Sequence, residues 1–353
     1  MGRPLRYIIV GTGGFGAQWC KLFLPRLAEM GKAVPAAAVD VNPDALANAR
    51  EHLRLSADKC YTDAAKAFDE NDADFGIVVV PPAHHERIVD IILAHDMHVL
   101  SEKPIADTMA GCARITHKVK AAGRKMAVTM SHRFDRDKQT LERLIRSGDY
   151  GKVDYVVGRN TWNYRKFPTW GAFRYKIPDT LLIEGTVHHF DIMRALAGSN
   201  AKTVFARTWN PEWSEFEGDC QALITIEMEN GVNVFYEGAK ANATMLNGWM
   251  QDYWRAECDR ATLELDNRTL RVMTGSVPGD GTVEDLPLDE REVWMNGWLA
   301  EMFCDWLQGG DAPPTHLDDN LQCAALLFAA IESAHTGDVV DVQAFLTKHL
   351  EES

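Results

Sequence analysis

RYIIVGTGGFGAQWC (Arg6 to Cys20) is the stretch whose reading decides the fold. A short apolar run leads directly into GTGGFG, Gly11 to Gly16, and a helix-like stretch follows. A G-x-G-x-x-G pattern counts as evidence only in that setting, after a strand and at the opening of a helix. There Gly11 allows a tight turn, Gly13 lets backbone approach a pyrophosphate, and Gly16 lets helix and strand pack closely. Gly14 and Phe15 complete the turn, where N–H groups at the helix N-terminus suit phosphate oxygens. The next strand-like run, VPAAAVD (34–40), ends in Asp40, placed to accept hydrogen bonds from the ribose 2′- and 3′-hydroxyls of a dinucleotide. Asp40 has a competing reading as the N-cap of a helix opening near Pro43. The residues after it are Val41-Asn42-Pro43, with no arginine, so a 2′-phosphate would meet a carboxylate with no cation to offset it. NAD is therefore expected in preference to NADP.

Outward from this turn, short apolar runs alternate with amphipathic stretches. FGIVVV (75–80), MHVLSEK (97–103) and KMAVTM (125–130) read as strands, and HERIVDIILAHD reads as a helix between them. Apolar strands separated by helices imply a doubly wound parallel α/β sheet covered on both faces. Beyond about residue 131 the texture changes. A charged helix, DRDKQTLERLIRSG, stops at Gly148, and KVDYVVGRN, KTVFARTWN, CQALITIEM, VNVFYEGAK, YWRAECD, ATLELD and TLRVMTG follow. Turn residues such as Glu229-Asn230-Gly231 predict hairpins and an open, mainly antiparallel sheet. Two helical stretches, VWMNGWLAEMFCDWLQGG and THLDDNLQCAALLFAAIESAHTG, come last. The chain reads as a nucleotide-binding domain over residues 1–130 and an α+β domain over 131–353.

Composition narrows the functions. The chain has 353 residues, 46% hydrophobic and 25% charged, with a formal net charge of −14. Two domains of this size can each bury a core. A strongly acidic balance argues against nucleic acid, whose phosphates call for clustered Lys and Arg. No apolar run is long enough for a membrane span. The opening MGRPLRYIIV passes straight into a strand with no signal-peptide pattern, and MGRPLR lacks the Ser or Thr that myristoylation needs. Seven scattered cysteines, never in C-x-x-C spacing, fit reduced thiols and a cytoplasmic protein.

VLSEKPIAD (99–107) closes the fourth long strand and places Lys103 at its carboxyl end, where open α/β sheets hold their ligands. A surface lysine paired with Glu102 is the competing reading. With this segment in hand, the chain resembles the Gfo/Idh/MocA oxidoreductases, named after glucose–fructose oxidoreductase and inositol dehydrogenase. The resemblance rests on GTGGFG, VVVPPAHHERIV, SEKPIA, SHRF, IRSGDYGKV and EGTVHHFDIMRAL, and on the closing THLDDNLQCAALLFAAIESAHTGDVVDV. It implies an NAD(P)-dependent dehydrogenase acting on a sugar, polyol or related carbohydrate, and a homodimer or homotetramer. Lys103 then corresponds to the active-site lysine, beside Glu102, and Pro81 and His85 match a P-x-x-x-H segment passing beside the cofactor.

The same resemblance settles how to read the doubled histidine of EGTVHHFDIMRAL (184–196). The signature of a carboxylate, three residues, histidine, two residues and aspartate aligns Glu184, His188 and Asp191. A helix places positions 184, 188 and 191 on one face and leaves His189 with Ile192 and Leu196. His188 is the expected acid/base, able to take the hydroxyl proton as the alcohol loses hydride to the nicotinamide. Lys103 would stabilise the developing alkoxide, and Glu184 would tune or position them. Many dehydrogenases of the family carry Asp where this chain has Glu184, which points to a substrate held differently. No third ligand accompanies Glu184 and His188 at metal spacing, so no metal is expected.

RNTWNYRKFPTWGAFRYKIPD (159–179) is rich in aromatic and basic residues. Trp170, Arg174 and Tyr175 are the candidates in it for contact with a sugar, since aromatic faces stack on sugar rings and Arg suits acidic groups. A lid or a subunit contact would use the same composition. Two other activities stay open on the sequence. One is an elimination from a glycoside by an enzyme that retains its NAD. The other is a cofactor-binding regulator without chemistry.

Overall fold

In β1 (Leu5–Val10) the last four residues are all buried, the pattern of a strand covered on both faces. The computed structural model describes residues 3–353, so the first two residues of the MGRPLR opening lie outside the described residues. β1 pairs in parallel with β2 (Ala33–Val39) on one side and β4 (Phe75–Val78) on the other. β3 (Cys60–Tyr61), β5 (His98–Glu102) and β6 (Met126–Thr129) complete a six-stranded sheet in the order β3-β2-β1-β4-β5-β6. The order reverses between β1 and β4, and that switch point is where such sheets hold ligands. β3, two residues long, has too little apolar character to stand out in the sequence.

The stretch AQWCKLFLPRLAEM, which reads as one helix, is built in three parts. Phe15–Gln18 and Leu24–Glu29 are α-helical, and Trp19–Phe23 between them is π-helical. Pro25 has no amide hydrogen to give to the carbonyl of Lys21, and the turn before it widens. The stretch turns Trp19, Leu24 and Leu27 onto Tyr7, Ile9, Phe75 and Ile77 of the sheet.

The chain divides after Ser131, but its later part does not stay in one unit. Val293–Leu321 and His349–Ser353 belong with residues 1–131, whereas His132–Glu292 and Gln322–Lys348 form the second unit. The cause is the helix Met295–Leu307, whose Ala300, Phe303 and Cys304 fill the core around β1 and β4. Phe303 meets Phe75 edge-on at 5.4 Å. The domain spanning 131–353 in the sequence thus lends a helix to the nucleotide-binding unit. A boundary read along the chain cannot register a late helix whose apolar face matches the first sheet.

The second unit is built on nine strands: β7 (Val153–Thr161), β8 (Ala201–Trp209), β9 (Gln221–Met228), β10 (Asn233–Ala239), β11 (Tyr253–Cys258), β12 (Thr262–Asp266), β13 (Thr269–Thr274), β14 (Thr282–Leu286) and β15 (Val340–Asp341). Their order is β14-β13-β12-β11-β7-β10-β9-β8-β15, antiparallel except where β10 runs parallel to β7. Gly231, at φ +86°, makes the turn between β9 and β10. One face of the sheet packs against the fully buried helix Val187–Ala197. On the other face Phe205 and Phe235 stand exposed on either side of Thr225. No helix among the described residues is long and apolar enough to cross a membrane.

Candidate active site

The glycine turn sits at the carboxyl end of β1, at the switch point. Gly11 adopts φ +96°, and a Cβ there would lie 2.1 Å from the Val79 carbonyl oxygen. A Cβ on Gly16 would lie 2.2 Å from the carbonyl of Gly11. Both positions therefore exclude every other residue for packing reasons. Gly14, at φ +49°, faces open space with nothing within 4 Å of its Cβ position, which fits the backbone-close approach of a dinucleotide phosphate.

Asp40 braces this turn from the end of β2. Its Oδ2 accepts hydrogen bonds from Thr12 N at 2.8 Å and Gly13 N at 2.9 Å, and its Oδ1 accepts from Asn42 N at 2.9 Å. Asn42, not Asp40, caps the helical turn Pro43–Ala45, accepting from Asp44 N. A carboxylate offers about four acceptor positions, so Oδ1 keeps capacity for a ribose hydroxyl while Oδ2 shapes the glycines.

Pro81 and His85 follow β4, and Glu102 and Lys103 stand at the carboxyl end of β5. Pro81 precedes the helical turn Pro82–His84. His85 is buried, with Nε2 2.9 Å from the Val80 carbonyl and Nδ1 3.2 Å from that of Ile105. Burial lowers its pKa, and its two ring nitrogens stand between the Pro81 loop and the segment after Lys103, a neutral ring donating to one of these carbonyls at a time. Glu102 accepts from Trp19 Nε1 at 2.8 Å and from Asn296 Nδ2 at 3.3 Å, and burial raises its pKa. Lys103 follows β5 directly.

In the second unit the helix read through 184–196 starts later than its spacing suggests. Leu181–Thr186, which includes Glu184, is π-helical, and the α-helix begins at Val187. A π turn is wider than an α turn, so Glu184 and His188 do not stack at a regular i, i+4 interval. Glu184 Oε2 accepts from Arg174 Nε at 3.0 Å. The Arg174 guanidinium also reaches the Trp170 carbonyl and lies over the rings of Trp170 and Phe173 at 5.1 and 4.5 Å. His188 meets the ring of Trp249 edge-on at 4.9 Å. Asp191 is fully buried, 3.5 Å from Arg133 Nη1 and 3.9 Å from Arg194 Nη1.

His189 packs inward, as expected. Its Nδ1 is 2.6 Å from the Tyr236 hydroxyl, and burial drives its pKa well below the ordinary value. Tyr175 departs from expectation. It is buried against Phe216 at 4.1 Å, with its hydroxyl 2.6 Å from the carbonyls of Tyr164 and Lys166. It holds the aromatic segment in shape instead of presenting a face to a sugar. Trp162, Tyr164 and Trp170 form the stacked surface, with centroids 4.6 and 5.7 Å apart.

Behind His188 lies a network that sequence reasoning missed. His132 stacks on Trp249 at 3.9 Å, and its Nε2 is 3.0 Å from Asp252. Asp252 also accepts from Trp254 Nε1 at 2.6 Å and lies 3.6 Å from Lys138 Nζ. Burial would raise the Asp252 pKa, but His132 and Lys138 outweigh it and hold it well below the carboxylate range. Ligand-type atoms of His132, His189 and Asp252 lie within 4.8 Å of one another. The lysine beside Asp252 already supplies the cation there, so the donor set is that of a buried ion network. SHRF contained His132, but nothing local points to an aspartate 120 residues away.

A glycine turn at the switch point of a doubly wound sheet, joined to a histidine-bearing α+β unit, defines an NAD-dependent oxidoreductase. Residues 5–130 match the oxidoreductase family with an NAD-binding Rossmann fold, and residues 138–264 match the GFO/IDH/MocA C-terminal domain. The chain belongs to the Gfo/Idh/MocA oxidoreductase family. It is 44% identical over 348 residues to the protein y4oX of Sinorhizobium fredii, covering 96% of each chain. It is 23% identical over 318 residues to the D-apiose dehydrogenase of Rhizobium rhizogenes, covering 83% of this chain and 86% of that one. Among solved structures, an oxidoreductase from Agrobacterium radiobacter in complex with NAD+, L-tartaric acid and magnesium superposes with a TM-score of 0.83 at 21% identity. That match covers 96% of this chain and 99% of that one.

Proposed function

We propose that this protein oxidises a secondary alcohol of a sugar, polyol or sugar derivative, or reduces the corresponding ketone, using NAD in preference to NADP. The observation that carries the reading is the setting of His188. It is 6% exposed, on a buried helix, edge-on to an aromatic ring and backed by the His132–Asp252 pair. NAD, when bound, supplies the hydride acceptor.

The remaining steps fall to side chains of this chain. His188 takes the hydroxyl proton of the alcohol, acting as general base. Lys103, at the carboxyl end of β5, donates to the alcohol oxygen and stabilises its developing negative charge. Glu184 holds Arg174 against Trp170, which fixes the polar and aromatic groups that orient the sugar. Asp40 leaves the ribose 2′ position with a negative neighbour, which disfavours a 2′-phosphate. The exposed Phe205 and Phe235 give the open sheet face an apolar surface suited to a second copy of the chain, and the seven free cysteines fit a cytoplasmic setting.

The test is a panel of sugars, polyols and their acids offered with NAD and with NADP, following absorbance of the reduced cofactor. Stoichiometric NADH from at least one secondary alcohol is expected. Activity only with NADP would overturn the role given to Asp40.

A further inference from the structure

Lys240 follows β10 directly and is 2% exposed. Lysines are almost never buried to that extent unless a carboxylate pairs with them, yet none among the described residues lies within ion-pair distance of its Nζ. Its one hydrogen bond goes to Asn160 Oδ1 at 3.2 Å, which leaves two of its three donor positions unused. Asn160 Nδ2 and Trp162 Nε1 are also buried donors without a partner. Asn160 is next to last in β7, and Trp162 directly follows the strand.

The surroundings of the Lys240 ammonium are those of the aromatic segment. Nζ lies 4.8 Å from the Trp170 ring and 5.8 Å from the Trp162 ring. A Cβ on Gly185, next to Glu184, would lie 3.4 Å from it, so glycine there leaves its flank clear. Two buried donors without acceptors, beside an ammonium with donor positions to spare and among flat rings, call for a flat, acceptor-rich ligand. The charge balance narrows the choice. Arg174 is already neutralised by Glu184, which leaves Lys240 as one uncompensated cation. One cation with two neutral donors matches a monoanionic carboxylate, whereas a phosphate dianion needs a second charge.

We propose that Lys240, with Asn160 and Trp162, receives the carboxylate of an acidic sugar, a uronic or aldonic acid, as the substrate of the dehydrogenase site. This rests on the dehydrogenase reading for the identity of the site, but the binding itself is separable from turnover. Burial, and then Arg174, pull the Lys240 pKa down to about 7, with Asp252 opposing. The other titratable neighbours do not compete for its proton: burial keeps His189 neutral and pushes Tyr164 up to about 12, and Glu184 is engaged by Arg174. Lys240 is thus largely an amine in mildly alkaline solution and becomes an ammonium when a carboxylate arrives. Binding takes up a proton.

The test is titration calorimetry of the NAD-loaded protein at about pH 8 with D-galacturonate and D-gluconate, and with D-galactose and D-glucitol as neutral counterparts. Two buffers of different ionisation enthalpy report the protons exchanged. At least one acid is expected to bind roughly tenfold or more tightly than its neutral counterpart, with net proton uptake. Lys240→Met loses both the preference and the uptake, and Lys240→Arg keeps the preference without the uptake. If Lys240→Met does not fold, the proton uptake of the wild type decides. Equal affinity for acid and neutral sugar, binding without uptake, no acid bound, or tighter competition by inorganic phosphate each overturn the proposal. Acid binding without NADH formation removes the dehydrogenase reading alone, and NADH from neutral sugars with no preference for acids removes this one alone.

Discussion

Arg174 Nε donates to Glu184 Oε2 at 3.0 Å, and this pair joins the aromatic segment to the turn that leads into the His188 helix. The extra methylene of Glu184 relative to aspartate is what lets its carboxylate reach the guanidinium. Shortening by one carbon withdraws the oxygens by roughly 1.5 Å, beyond hydrogen-bond range. Glu184→Asp and Glu184→Gln are each expected to lower kcat/KM by about tenfold or more. Steady-state kinetics on the best alcohol of the panel checks this.

Asp40 has two tasks, and its removal should show both. Asp40→Ala leaves Thr12 N and Gly13 N without their acceptor and loosens the glycine turn. The KM for NAD is expected to rise by about tenfold while NADP gains relative to NAD, because the repulsion of a 2′-phosphate is gone. Kinetics with both cofactors on one substrate measure the change.

Most of this framework is legible in the sequence because it rests on local signals. The glycine turn, the apolar runs of β1, β2, β4 and β5, and the hairpin at Gly231 each announce themselves within a few residues. The helix Met295–Leu307 does not, because its place is set by the fit of Phe303 against Phe75. The same holds for the site. Lys103, Glu184 and His188 lie in short recognisable motifs, while Asp252 and Lys240 acquire their partners only when the fold brings them beside His132 and Asn160. Tyr175 shows the converse: composition marks it as an exposed aromatic, and packing on Phe216 buries it.

Lys138 is buried within 3.6 Å of Asp135, Asp137 and Asp252. Lys138→Met leaves these carboxylates without their shared cation, and a loss of about 3–5 kcal/mol is expected. Asp252, held well below its ordinary pKa, contributes stability that is complete above about pH 4 and is lost as pH falls through its folded value. Denaturant unfolding followed from neutral to acidic pH should show the wild type losing this increment and Asp252→Asn, weaker at neutral pH, losing less.

Lys240 has the opposite sign. Its pKa is lower folded, about 7, than unfolded, so the unfolded chain binds the extra proton between about 7 and 10.4. The destabilisation it causes is fully present below that window and fades as pH rises through it. Lys240→Met is therefore expected to raise Tm by about 3 °C or more near pH 6, with a smaller gain near pH 10, in thermal melts of the ligand-free protein.

The most direct measurement compares the wild type with His188→Ala on the best alcohol of the panel, with saturating NAD, by the rate of NADH formation. A fall in kcat of about 10²–10⁴-fold, in a variant that still binds NAD, is expected if His188 takes the hydroxyl proton. An unchanged rate in the folded variant would contradict it.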